Sequence, residues 1–82
     1  MFIDELFEKY LIEDKLSYAD AIRKVCMEKL DNNDTHNFES VKRIDNAYKL
    51  FSKRHPEIMP DAFRIYVKHL SPDLYKALGW DK

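Results

Sequence analysis

Apolar residues recur along the chain at the three- and four-residue spacing of amphipathic helices. From about Phe2 to Glu13, Ile3, Leu6, Phe7, Tyr10 and Leu11 fall on one face, with Asp4, Glu5 and Glu8 opposite. Acidic residues in a first turn suit the helix dipole, and Glu5 stands four residues before Lys9. A second helix begins behind Ser17, a good N-cap with Asp20 three residues on. Its stripe is Tyr18, Ala21, Ile22, Val25 and Cys26, and Asp20 is a natural partner for Lys24. Asp31-Asn32-Asn33-Asp34 then breaks the pattern with turn-forming residues.

The third helix is the longest, from Asn37 or Phe38 to Arg54, with Val41, Ile44, Tyr48 and Phe51 inside. Pro56 disfavours helical geometry at His55 and sets its end. Pro60 suits a first helical position with Asp61 behind it, and Phe63, Tyr66, Val67 and Leu70 follow at helical spacing. Ser71-Pro72-Asp73 reads as a cap, an N1 proline and an acidic first turn. The short helix it opens carries Leu74, Tyr75 and Leu78. Gly79 is its natural C′ residue, followed by Trp80. The expected fold is all-α: a compact bundle of four helices plus a short C-terminal fifth, one domain over residues 1–82.

Composition sharpens this reading. Gly79 is the one glycine and no Asn-Gly, Asp-Gly or Gly-X hairpin pair occurs, which argues against an antiparallel sheet. The same scarcity excludes the P-loop and the dinucleotide fingerprint, which need spaced glycines. The longest apolar runs are three residues, such as Tyr10-Leu11-Ile12, against the roughly 20 of a membrane span. Acidic residues follow Met1-Phe2-Ile3 at once, unlike a secretory signal. With a single cysteine there is no internal disulfide framework, so a reducing, cytoplasmic setting is expected.

No catalytic set emerges. His36, His55 and His69 are not spaced i,i+4 from one another, and none lies beside Cys26, whose place on an apolar stripe suits an inert buried thiol. His36 and His55 sit at loop edges, where exposure is expected, and His69 suits a helix C-terminus. Counted as an EF-hand loop from Asp31, position 6 is His36 instead of glycine and position 12 is Lys42 instead of glutamate. The expectation is no enzyme, no metal and no cofactor.

Charge is uneven. Residues 1–34 carry nine acids and five bases, residues 35–55 two and five, and residues 56–82 four and four, for a net charge of −1. On the third helix Lys42, Lys49 and Lys53 share a stripe about 40° wide, with Asn46 beside them. Such a face can follow phosphates. It is also what a solvated amphipathic helix shows, with Asp45 and Glu39 as partners for Lys49 and Arg43. Nucleic-acid binding through Lys42, Lys49 and Lys53 is therefore the second reading.

The leading reading comes from apolar residues off the inner stripes: Ile12, Met27, Leu50 and Ile65, one on each of four helices. Either one helix, the fourth for instance, is buried all round, or these residues form a second apolar surface for a partner. The second account is favoured. It makes the chain a small regulatory or adaptor protein that binds another protein, working as a homodimer. The third helix would contribute through Leu50, and the acidic face of helix one would meet the lysine stripe across the interface. Leu50 and Ile65 are the positions at which a change to Asp should separate the dimer. In size and style the chain resembles the small accessory proteins of tailed phages and mobile elements.

Overall fold

A computed structural model of the chain describes residues 2–29 and 38–81. Five α-helices follow in order: α1 (Ile3–Glu8), α2 (Tyr18–Lys29), α3 (Phe38–Arg54), α4 (Ala62–Leu70) and α5 (Pro72–Ala77). A π-helical turn, Lys9–Glu13, continues α1. No strand occurs among the described residues, and the fold is all-α. No helix among them is long and apolar enough to cross a membrane.

Local chemistry explains the boundaries. Glu5 reaches back to accept from the Phe2 N–H at 3.0 Å, so it is turned to the helix start instead of to Lys9. The π turn is closed by the Asp14 N–H donating to the Lys9 carbonyl at 2.9 Å. Lys15 then adopts φ 53, left-handed geometry that ends the helix, and the Leu16 N–H donates to the Tyr10 carbonyl. Ser17 Oγ accepts from the Asp20 N–H at 3.2 Å, as an N-cap should. The Asp20 carboxylate goes to Arg23 at 3.3 Å and not to Lys24, whose ammonium stands 5.0 Å from the Tyr10 ring centroid.

At the other end Ser71 Oγ accepts from the Leu74 N–H at 3.3 Å, with Pro72 at the first helical position. Gly79 has φ +78, and the Trp80 N–H donates to the Tyr75 carbonyl while the Gly79 N–H donates to Lys76, which is the glycine-ended cap. One start differs from expectation. Pro60 lies in the turn before α4, Asp61 is the N-cap residue, and its side chain makes no capping bond.

Phe7 of α1 is the hub of the core. It is fully buried, with Tyr48 edge-on at 5.0 Å, Phe51 stacked at 6.1 Å and Phe63 edge-on at 6.5 Å, so α1, α3 and α4 meet on one side chain. Burying a phenylalanine is worth roughly 1.5–3 kcal/mol, and each aromatic pair adds about 0.5–1.5 kcal/mol. Ala21, Ile22 and Val25 of α2 and Val41 and Ile44 of α3 complete the core, and Cys26 is half-buried at its edge. The C-terminal arm closes it, with Trp80 edge-on to Phe63 at 6.3 Å and to Tyr75 at 6.0 Å.

Two polar clasps tie the helices. Asp45 is buried and accepts from Arg64 Nε at 3.3 Å and Nη2 at 3.1 Å, joining α3 to α4. The Arg64 guanidinium also covers the Trp80 ring at 4.6 Å. The second clasp joins α1 to the end of α3. Arg54 pairs with Asp4 at 3.0 Å and with Glu8 at 3.6 Å, while His55 holds Glu8 at 3.0 Å and Glu57 at 3.4 Å and lies tilted against Phe51 at 5.0 Å. His55 is thus an enclosed, paired side chain and not an exposed loop residue.

Candidate functional site

Of the four off-stripe apolar residues, Met27 and Ile65 line two different hollows, and Ile12 and Leu50 line neither. Ile12 lies half-buried against the core. It follows the start of the π turn, whose wider winding departs from the 100° per residue that set it on the polar side. Met27, Leu50 and Ile65 are exposed at 75%, 56% and 45%. Met27 edges a depression of about 300 Å³ with Tyr10, Lys24 and Glu28. The polar groups there are already engaged, since the Tyr10 hydroxyl donates to Glu28 and Lys24 covers the ring. Leu50 points outward from α3 and lines neither hollow. Helix α4 is not buried all round, because Ile65 and Leu70 both face solvent.

Ile65 belongs to a distinct feature, an open groove of about 380 Å³ between α2 and α4. Its lining is apolar: Ala19, Ile22 and Ala62 at the small-residue hollow, Tyr18 and Tyr66 beside it, and Ile65 and Met59 exposed. Ala19 and Ala62 present the shortest side chains of the lining, Ala62 buried and Ala19 exposed. His69 completes the lining.

Met59 is placed by its backbone. The Met59 N–H donates to the Tyr18 hydroxyl oxygen at 2.9 Å, and the Tyr48 hydroxyl donates to the Met59 carbonyl. The connector between α3 and α4 is therefore pinned to α2 on one side and to α3 on the other. Burial pushes the Tyr48 hydroxyl well above its ordinary pKa, so it stays a proton donor. A turn in which the Ile58 N–H donates to the His55 carbonyl at 2.9 Å completes the connector. Nothing in the helical pattern marks Met59 as a site residue, since it lies outside every helix. Its role follows from the two tyrosines, which are 41 and 11 residues away.

The lysine stripe is where the spacing put it. Lys42, Lys49 and Lys53 are all exposed on α3. Lys49 pairs with Asp45 at 3.5 Å, whereas no ion pair involves Lys42, Arg43 or Lys53 among the described residues. The acidic face of α1 is partly spent within the chain, because Asp4 and Glu8 are held by Arg54 and His55. That removes two of the groups expected to meet the lysines across an interface.

Burial pushes the Cys26 thiol up to about 11, which keeps it protonated and poorly nucleophilic at neutral pH. His36 and the polar turn from Asp31 to Thr35 lie outside the described residues. Among the described residues no group of three His, Cys, Asp or Glu side chains is placed to hold a metal ion. Compared with known proteins, the chain matches no family model, no curated protein and no solved structure.

Proposed function

We propose that the chain is a small regulatory or adaptor protein that acts by binding protein, and that it works as a homodimer closed over the α2/α4 groove. One observation carries this reading: a hollow and its complement lie side by side. Ala19 and Ala62 line the groove with short side chains, and Ile65 and Met59 stand exposed at the same groove. A two-fold interface needs one surface to carry both knob and hole, because each copy presents the same patch to the other. Ile65 of one copy seated over the alanines of the second satisfies that requirement.

Size supports the same conclusion. A chain of 82 residues has a small core, and association is a common remedy. A cytoplasmic setting is part of the proposal, resting on the lone cysteine and its half-buried, protonated thiol. The test is a photo-crosslinking side chain at position 65. A homodimer adduct is expected there and not from the same group at position 50. Absence of adduct at 65, or equal yields from both positions, would rule out the groove as the association surface.

A further inference from the structure

We infer that the outward face of α3 docks an acidic amphipathic helix of a partner protein, with Leu50 as the apolar centre of the contact. The inference rests on the reading of the chain as a protein-binding module, but it uses a different surface from the α2/α4 groove. Wound at 100° per residue, α3 sets Lys42, Lys49 and Lys53 along one edge of its exposed face and Arg43 and Arg54 along the other, within an arc of about 140°. Leu50 and Asn46 run between the two edges, and all seven residues are exposed. The face's one outward acid, Glu39, is confined to the first turn, and Asp45 is turned inward to Arg64.

Charge complementarity selects the occupant. Lys42, Arg43 and Lys53 lack an ion pair among the described residues, whereas Arg54 is already held by Asp4 and Glu8, so Arg43 is the cation that the second edge offers. Lys49 leans on a carboxylate that Arg64 already holds through two hydrogen bonds, so its attraction to an outside anion is only partly satisfied. Cations on both edges of an apolar centre are matched by a helix carrying an aliphatic stripe between two rows of carboxylates, the pairing logic of coiled-coil flanks. The same arrangement repels a helix with basic flanks. A phosphate backbone would use the cations but would gain nothing from a leucine between them. The chain's net charge of −1 also gives no long-range pull on a polyanion. An acidic helix uses both the charges and Leu50.

The test uses the full chain and a fluorescent peptide of about three heptads, with leucine at the a and d positions and glutamate at e and g. Anisotropy is read at about 0.15 M salt. Binding is expected to weaken at least about ten-fold in Leu50→Asp and again in Lys42→Glu/Lys53→Glu, and to be unchanged in Ile65→Asp. Leu50 is more than half exposed, so these variants keep the fold, which circular dichroism verifies. The Ile65 variant separates failure of this face from failure of the groove. No binding at millimolar peptide, binding indifferent to the α3 changes, or equal binding of a control peptide with lysine in place of glutamate at e and g would each overturn the inference. Binding of a short duplex DNA that the α3 variants abolish, without peptide binding, would overturn it in favour of nucleic acid.

Discussion

Asp45 and Arg64 offer an internal test of the fold, because the two sides of this ion pair should not cost the same to remove. The Asp45 side chain is only 6% exposed, whereas that of Arg64 is 30% exposed and rests on Trp80. Changing Arg64 to Met keeps the apolar stem over Trp80 but strands a buried carboxylate with Lys49 at 3.5 Å as its one remaining cation among the described residues. Breaking a buried pair by removing one partner costs about 3–5 kcal/mol; with Lys49 softening the loss, about 3 kcal/mol is expected. Changing Asp45 to Ala leaves a guanidinium that can turn into water. It also places a better helix former in α3, so about 1 kcal/mol is expected. A chain of this length has a total stability of roughly 4–12 kcal/mol, so the larger loss is a sizeable fraction of it. At about 4–8 °C per kcal/mol, Arg64→Met should lower Tm by roughly 12–24 °C. The assay is urea unfolding followed by circular dichroism, which does not depend on the environment of Trp80, with m unchanged between variants. Equal losses, or a larger loss from Asp45→Ala, would refute the claim that the Asp45 carboxylate is held desolvated by Arg64.

Three further predictions concern a helix cap, the Glu8 clasp and the Cys26 thiol. Ser71→Ala should cost about 0.5–2 kcal/mol in urea unfolding, since it frees the Leu74 N–H that Ser71 caps, and a neutral result would mean water replaces the cap. The His55 hydrogen bond holds the Glu8 carboxyl below its ordinary value of 4.5, the charges of His55 and Arg54 add to this, and desolvation opposes it. A depressed carboxyl contributes stability that is present above the unfolded pKa and lost as pH falls through the folded one. Stability should therefore decline on acidification below about 4.5, and less steeply in Glu8→Gln. Cys26 should react slowly with thiol reagents at neutral pH in the folded chain, and rapid labelling without unfolding would contradict its burial.

Much of the helical framework was legible because local chemistry dictates it. Ser17, the Ser71-Pro72 pair and Gly79 act within three or four residues of themselves, and each does in the structure what its type and spacing imply. Pairings across the chain were not legible in the same way. The i,i+4 spacing sets Asp45 beside Lys49, with which it does pair, but at the edge of the inner stripe it is also buried. Its second cation, Arg64, comes from 19 residues away, beyond the reach of helical spacing. Local pattern sets His55 at an exposed loop edge, because its partner Glu8 is 47 residues distant. Ile12 was placed by α-helical arithmetic, which fails where α1 runs into a π turn. Of the candidate site, Ile65 was visible as an apolar residue off its stripe. Met59 was not, because its position depends on hydroxyls from two different helices.

The α2/α4 groove as an association surface is tested most directly by sedimentation equilibrium of the wild-type chain and of Ile65→Asp across a concentration series. The account predicts that the wild type approaches twice the 9.9 kDa mass of one chain as concentration rises. It also predicts that Ile65→Asp remains at the single-chain mass, because an unpaired carboxylate buried in an apolar interface costs several kcal/mol. Leu50→Asp should sediment as the wild type does. A wild type that stays at the single-chain mass at high micromolar concentration, or a dimer that Ile65→Asp leaves intact, would contradict it.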